Sequence, residues 1–213
     1  ISQPELESAL IGHVANAPLI DMRFNCQVQN LSQTDAGVTL EVIHGQGRCH
    51  RITCDYVLAC DGGRSRIRES LGIRIEGSTY SHDWLVIDAL NDPDHSLFSK
   101  FYCSGQRPHV SFPAPHGGRR YEFMLLPGET QEIVLAKSFI NDLLSPHRTL
   151  KDGEILRKVI YTFHARVAEK FRAGRVLLLG DAAHLTPPFS GQGMNAGLRD
   201  AMNVAWKLVT VLR

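Results

Sequence analysis

The chain has 213 residues, 43% of them hydrophobic and 21% charged, and its 23 basic and 22 acidic side chains leave a net charge of +1. This length allows one large domain or two small ones. The balanced charge excludes the broad positive field of a nucleic-acid-binding protein. The longest apolar runs, Trp84–Leu90 and Val176–Leu179, are far shorter than the roughly 20 residues of a membrane-spanning helix. We therefore expect neither nucleic acid nor a membrane as a partner.

The N-terminal residues and the cysteines favour a cytoplasmic protein. Residues 1–10 lack the basic segment and the apolar segment of a secretory signal. The five cysteines are odd in number and form no CxxC pair, which is typical of reduced thiols.

The first third of the chain predicts a helix, two hairpins and a strand–turn–helix unit. Apolar residues recur at helical spacing over residues 4–16. Residues 22–54 alternate between apolar and polar in three runs, which is typical of antiparallel hairpins. An uninterrupted apolar run at 56–60 then predicts a buried strand, and residues 61–63 and 64–71 predict a turn and a short helix.

The remainder predicts an antiparallel sheet followed by a second buried strand. Between residues 73 and 171, aromatic and β-branched runs are separated by Pro and Gly, with one helix-like stretch at 131–144. Residues 175–179 form another apolar run. A long terminal helix is expected to pack through an apolar stripe of Met194, Leu198, Ala201, Ala205, Leu208 and Leu212.

The strongest chemical signal lies at residues 175–208. The apolar strand ends at Asp181, whose carboxylate can accept hydrogen bonds from hydroxyl groups. The loop at 187–193 then leads into the terminal helix, whose first N–H groups and dipole favour an electron-rich ligand. Gly191 and Gly193 lack the Cβ atoms that would hold a flat ligand away from the backbone. A strand, a glycine turn and a helix are also ordinary parts of an α/β domain. Taken without the rest of the string, the two glycines can therefore have a purely structural role.

The complete string is more specific. It resembles the second FAD-contacting motif of the flavoprotein aromatic hydroxylases that share the para-hydroxybenzoate hydroxylase fold, and the middle of the chain resembles the branch that acts on hydroxylated phenylpropionates. The matching elements are Gly180-Asp181-Ala182-Ala183-His184, Pro187, Gly191-Gln192-Gly193, Asn195, Asp200-Ala201, Asn203 and Trp206-Lys207-Leu208.

A second motif, Asp61-Gly62 with Ser65 and Arg68, resembles the segment that this family uses near the flavin pyrophosphate and the pyridine-nucleotide path. Read without the family, it is a turn capped by Asp before a helix with an exposed arginine. Gln3 also matches a family position that touches the flavin.

The resemblance implies an α/β fold, α+β overall. It consists of a partial, Rossmann-like FAD-binding domain at 1–72 and 172–213, with an inserted, mainly antiparallel substrate domain at 73–171. Pro187 and Pro188 would form the wall near the flavin C4a atom, with no side-chain acid or base assigned. The implied cofactor-binding residues are Gln3, Asp61, Gly62, Arg68, Gly180, Asp181, Pro187, Gly191, Gly193, Met194 and Asn195.

The implied activity is hydroxylation of a phenolic aromatic acid with FAD, NADH or NADPH, and O₂, through a flavin C4a-hydroperoxide. Arg107, His109, Arg119 and Tyr121 are candidates for binding the small aromatic substrate, although a solvated face or an ion pair explains each equally well. His44, Cys49, His50 and Cys54 fit no zinc spacing, so we predict no metal.

One family element is missing. The sequence contains no GxGxxG turn, which in this family holds the ADP half of FAD. We therefore interpret the chain as an internal fragment, inactive by itself and prone to self-associate into homo-oligomers. Two alternatives stay open: a flavoprotein of the same fold with other chemistry (epoxidase, halogenase or reductase), or a truncated, non-enzymatic module.

Overall fold

The structure, a computed structural model, describes residues 3–45, 47–188 and 191–213. The helices are α1 (Gln3–Ala15), α2 (Arg66–Ser70), α3 (Gln131–Val134), α4 (Lys137–Leu144) and α5 (Gln192–Leu212). The strands are β1 (Cys26–Thr34), β2 (Gly37–His44), β3 (Arg48–Cys54), β4 (Val57–Ala59), β5 (Ile75–Ala89), β6 (Lys100–Tyr102), β7 (His109–Pro113), β8 (Arg119–Met124), β9 (Ile155–Ala168), β10 (Arg172–Ala173), β11 (Val176–Leu178) and β12 (His184–Leu185).

These elements divide into two compact units. Unit 1 contains Ile1–Ala17 and Tyr80–Phe163, and unit 2 contains Pro18–Thr79 and His164–Arg213. The predicted α/β class with a mainly antiparallel sheet is confirmed. The predicted domain boundaries, at 72/73 and 171/172, stay predictions.

Unit 2 contains two small sheets. Strands β1, β2 and β3 form an antiparallel meander, as the alternation predicted. Strands β10, β11 and β4 form the other sheet, in which β11 and β4 are parallel. Val57 and Ala59 of β4 and Val176 and Leu178 of β11 are buried in one core cluster, to which Val38 of β2 also belongs. The apolar runs at 56–60 and 175–179 are thus neighbouring strands, and each buries the face that carries Val57, Ala59, Val176 and Leu178, while Leu58 on the other face of β4 is exposed.

Unit 1 is built on antiparallel strands. Strand β8 pairs with β5 on one side and with β7 on the other, and β7 pairs with β6. One face of this sheet packs against the helices, because Val134 of α3 and Ile140 of α4 share a core cluster with Tyr121 and Phe123 of β8. Side chains alternate along a strand, so Arg120 and Glu122 lie on the opposite face.

Two expectations about helices were wrong. The stretch at 131–144 is not one helix, because Ala136 has an extended backbone (ψ 144°) and begins α4 anew. The predicted stripe of α5 is largely exposed, with Met194 at 45% and Leu212 at 57%. The buried residue of α5 is Val204, and the helix comes close to the turn after β11 through Gly197, where an added Cβ would lie 3.5 Å from the Gly180 Cα atom.

Candidate functional site

The two FAD-type motifs lie at the carboxyl ends of neighbouring parallel strands. In the register of β4 and β11, Val57 pairs with Val176 and Ala59 with Leu178, and the Leu179 N–H donates to the Ala59 carbonyl at 3.0 Å. The segments that follow, beginning at Asp61 and at Gly180, therefore leave the sheet at the same edge. Ligands of open α/β sheets bind at this kind of edge.

The segment after β4 is held by its own side chains. The Asp61 carboxylate accepts a hydrogen bond from the Ile67 N–H at 3.1 Å. Ser65 is buried, and its hydroxyl caps α2 by accepting from the Arg68 N–H at 3.0 Å. Gly62 has a φ of +82°, and a Cβ built there would meet nothing within 4 Å. The turn is therefore preorganised and open beside Gly62.

Arg68 connects the two segments. Its side chain is buried, at 4% exposure, and Nη1 donates to the Ala182 carbonyl at 3.1 Å. Nη2 donates to the Gly63 carbonyl at the same distance, 3.1 Å. One planar guanidinium therefore ties the turn after β4 to the turn after β11. The sequence predicted a cofactor-binding role for Arg68, and that role stays a prediction.

The segment after β11 begins with a left-handed turn at Gly180, close to α5. Gly180 has a φ of +56°, and a Cβ built there would lie 3.6 Å from the Gly197 Cα atom. The Gly180 N–H donates to the Asp200 carboxylate at 2.8 Å, and His184 Nε2 lies 2.7 Å from the same oxygen. Asp200 and His184 thus fix the turn, and sequence reasoning gave Asp200 no role. The sequence feature that could have indicated this role is an acidic residue within the helix that follows the glycine-rich loop.

Asp181, in contrast, is exposed. Its carboxylate has no hydrogen bond or ion pair with any residue in the described part of the chain. The turn that Asp200 stabilises therefore presents Asp181 outward, where a ligand can reach it.

The loop before α5 is also open. Gly191 begins the helix with a φ of +62°, its N–H donates to the Pro188 carbonyl at 2.8 Å, and a Cβ there would meet nothing within 4 Å. Gly193 is more enclosed, since its Cβ would lie 3.4 Å from the Thr186 hydroxyl. Phe189 and Ser190 of the predicted loop lie outside the described residues.

These features fit a flavin cofactor. A Cβ-free approach at Gly62 and Gly191, an exposed carboxylate at Asp181 and the N-terminus of α5 suit a flat ligand with hydroxyl groups and an electron-rich edge. Met194 and Asn195 are exposed in the first turn of α5. Gln3 belongs to unit 1, where its amide donates to Glu7 at 2.8 Å; its contact with the flavin stays a prediction.

The four predicted substrate residues have protein partners in unit 1. Arg119 is fully buried and donates to the Ser111 hydroxyl at 2.5 Å and to the Ser96 carbonyl at 2.9 Å. The Tyr121 hydroxyl donates to Asp92 at 3.0 Å, and burial raises the pKa of this phenol. Both side chains lie on the helix-packed face of β8, so their polar groups serve the core of unit 1.

Arg107 and His109 are similarly engaged. The Arg107 guanidinium forms an ion pair with Glu129, with 2.8 Å between Nη1 and Oε2. His109 Nε2 lies 3.0 Å from His147 Nε2, and its ring stacks on Tyr102 with 4.2 Å between centroids. Roles for these residues in substrate binding stay predictions.

The described ranges contain neither a metal-type cluster nor a membrane-spanning helix. No group of three or more His, Cys, Asp or Glu side chains is arranged to hold a metal ion there. None of the helices described has the length and apolar character to cross a membrane. All five cysteines have free thiols.

Comparison with known proteins gave consistent matches over the chain. Residues 1–213 match a family model described as an FAD binding domain. A 3-(3-hydroxy-phenyl)propionate/3-hydroxycinnamic acid hydroxylase of Escherichia coli (strain K12) is 39% identical over 212 residues, which are 99% of this chain and 38% of the relative. The enzyme of the same name from Burkholderia cenocepacia (strain HI2424) is 44% identical over 207 residues, covering 97% of this chain and 38% of the relative.

Solved structures agree. Aklavinone-11 hydroxylase, in a ternary complex with FAD and aklavinone, superposes on this chain with a TM-score of 0.86 at 29% identity, covering 100% of this chain and 42% of that one. The p-nitrophenol 4-monooxygenase of Pseudomonas putida DLL-E4 gives a TM-score of 0.87 at 26% identity, covering 99% of this chain and 54% of that one. The chain thus spans 38% of the length of the curated relatives it matches.

Proposed function

Because this chain belongs to the FAD binding domain family, we propose that it forms the flavin-facing part of an aromatic-ring monooxygenase. The enzyme would use NADH or NADPH and O₂ to hydroxylate a small phenolic aromatic acid. The relatives named above, which are 3-(3-hydroxyphenyl)propionate and 3-hydroxycinnamic acid hydroxylases, support this substrate class. The observation that carries the proposal is the parallel pairing of β4 with β11, since it delivers both motifs to one edge.

Each motif would do a separate part of the work. The Asp181 carboxylate would accept hydrogen bonds from the ribityl hydroxyls, with Gly180 setting the turn. The backbone at Asp61 and Gly62 would lie near the pyrophosphate. The first turn of α5, at Gly193, Met194 and Asn195, would direct N–H groups at the electron-rich edge of the flavin ring, where the helix dipole favours negative charge.

The loop before α5 would protect the reaction. When bound, FAD would accept electrons from NAD(P)H and activate O₂. Pro187 and Pro188 have restricted backbones, so they would form a stable wall that excludes water beside the ring. Gly191 would let the ring approach the backbone, and Arg68 would hold the two turns at a constant separation.

We propose a cytoplasmic location and self-association of this segment. The free thiols of the five cysteines support a reducing, cytoplasmic compartment. Leu58 of the edge strand β4 and Trp206 of α5 are 42% and 61% exposed, which supports association of residues 1–213 when they are produced alone.

An oxygenation assay tests the proposed function. We expect the complete protein that carries this chain, loaded with FAD, to oxidise NADH or NADPH faster when 3-(3-hydroxyphenyl)propionate is added, and to place one oxygen atom from ¹⁸O₂ into the product by mass spectrometry. The control substrate is 3-phenylpropionate, which lacks the hydroxyl group that activates the ring. NAD(P)H oxidation without an oxygenated product would instead favour a reductase or another flavoprotein of this fold. Absence of both activities would favour a non-enzymatic module.

A further inference from the structure

The face of the unit 1 sheet opposite the helices carries aromatic and charged groups in register. Glu122 pairs with Val110 of β7 and Val86 of β5, and Val110 pairs with Phe101 of β6. One row along, Arg120 pairs with Phe112 and with Asp88. Directly paired residues share a face. We call this surface the Glu122 face, defined by Asp88, Phe101, Phe112, Arg120 and Glu122.

Glu122 is buried on this face, and one of its carboxyl oxygens lacks a hydrogen bond to the residues that the structure describes. Its side chain belongs to a residue only 2% exposed, and its Oε2 atom has no hydrogen-bond partner among the described residues. Its neighbours in the adjacent strands, Val86 and Val110, offer no polar group. A buried carboxyl group of this kind reduces stability unless it is protonated or bound, so its presence points to a function.

The nearby arginine is already engaged. Arg120 Nε donates to Asp88 Oδ1 at 2.6 Å and Nη2 donates to Asp88 Oδ2 at 3.0 Å. This bidentate pair occupies the arginine. The pKa of Glu122 is raised to about 7, mainly because the carboxyl group is buried; Arg120 lowers it by a smaller amount and Asp88 adds a small increase.

The surroundings fit an aromatic ligand. Phe101 and Phe112 meet edge to face, with 6.0 Å between their centroids. Phe101 is 56% exposed and the Arg120 side chain is 40% exposed, so a ring can reach the part of the Glu122 face that these two side chains form. An aromatic patch beside an unpaired acceptor suits a ring that carries a hydroxyl group.

We propose that Glu122 accepts the proton of the phenolic hydroxyl group of the substrate. The O–H bond of the phenol breaks, a new O–H bond forms on the Glu122 carboxylate, and the negative charge passes from that carboxylate to the phenolate oxygen. The phenolate is more electron-rich than the phenol, and its ring is therefore more readily oxygenated. This assignment rests on the proposed function, since it names the base for that reaction.

The pH dependence follows from the ionised state of the base. Glu122 must be a carboxylate to accept the proton, so kcat/KM should rise as pH increases through about 7 and level off above it. The charged groups that face Glu122 are Arg120 on its own strand and Asp88 on β5. The hydrogen bond from Asp88 raises the pKa of Arg120, so Arg120 keeps its charge across this range.

The first experiment compares Glu122→Gln with Glu132→Gln in the complete FAD-loaded protein. Glu132 is exposed on α3 and serves as the matched control. We expect Glu122→Gln to lower kcat/KM for 3-(3-hydroxyphenyl)propionate by about 100-fold and to abolish the inflection near pH 7. Glu132→Gln should match wild type throughout.

A second experiment measures binding without turnover. We expect calorimetry at pH 8 to show that wild type binds 3-(3-hydroxyphenyl)propionate more tightly than 3-phenylpropionate, and that Glu122→Leu loses this preference. If the protein oxygenates no substrate but keeps a Glu122-dependent preference, the proposed function fails and the hydroxyl contact stands. If both Glu122 variants keep the wild-type pH profile and preference, the assignment of Glu122 is wrong.

Discussion

Replacement of Arg68 by alanine is expected to lower the free energy of unfolding of unit 2 by about 3–5 kcal/mol, because two charge-assisted hydrogen bonds and a buried side chain are lost together. The Ala182 and Gly63 carbonyls lose their donor. The cavity left by a side chain that is 4% exposed adds to this loss. Arg68→Lys keeps the charge but not the planar fork that reaches both carbonyls, so it should recover part of the difference.

Urea unfolding of the cofactor-free protein, followed by far-UV circular dichroism, measures this effect. Arg66→Ala is the control, because Arg66 belongs to the same helix α2 but is exposed. It should change the free energy of unfolding by no more than about 0.5 kcal/mol. Equal unfolding midpoints for the two alanine variants would show that Arg68 does not tie the two turns together.

Replacement of Asp181 by alanine should weaken FAD binding by about 10- to 100-fold and leave folding unchanged. A charge-assisted hydrogen bond contributes roughly 1.5–3 kcal/mol, which corresponds to one to two decades in Kd. The exposed Asp181 carboxylate has no partner in the described residues, so its loss removes no internal contact. This separates Asp181 from Asp200, whose carboxylate holds Gly180 and His184.

Fluorescence titration of the cofactor-free complete protein with FAD tests this prediction. Asp142→Ala is a suitable control, because Asp142 is an exposed carboxylate on α4 of unit 1. It should bind FAD as wild type does. An unchanged Kd in Asp181→Ala would remove Asp181 from the cofactor site.

Much of the site could be predicted because its signals are local. Uninterrupted apolar runs ending in Asp61 and Asp181 predicted two buried strands, and β4 and β11 are parallel neighbours. The helix α1 and the meander from β1 to β3 also follow from periodicity and turn residues within a few positions. The formation of these elements is determined mainly by residues close to one another along the chain, so the sequence pattern is enough to predict them.

Features that depend on register could not be predicted in the same way. Alternation indicates that Arg119 and Arg120 point to opposite faces of β8, but not which face meets α3 and α4. Residues 84–87 of β5 are buried on both faces, so the adjacent strand gives no contrast to decide it. The substrate candidates named from the sequence include Arg119 and Tyr121, which lie on the helix-packed face of β8, and that role stays a prediction.

The packing of α5 was mispredicted for a related reason. An apolar stripe normally marks the buried side of a helix. Here the close approach is made by Gly197 against Gly180, where a Cβ on Gly197 would lie 3.5 Å from the Gly180 Cα atom. Met202 is left 75% exposed. Small residues leave little hydrophobic signal even where they determine how closely two segments approach.

The central claim is that the edge formed after β4 and β11 is where the flavin binds. Hydrogen–deuterium exchange of the complete protein, with and without FAD, tests it most directly. Exchange should slow on FAD binding in peptides that cover residues 60–68 and 180–197, because those backbones would lie against the cofactor. Peptides from the β1–β3 meander should exchange equally in both states. Unchanged exchange at 60–68 and 180–197, with FAD-dependent protection elsewhere in the chain, would contradict the account.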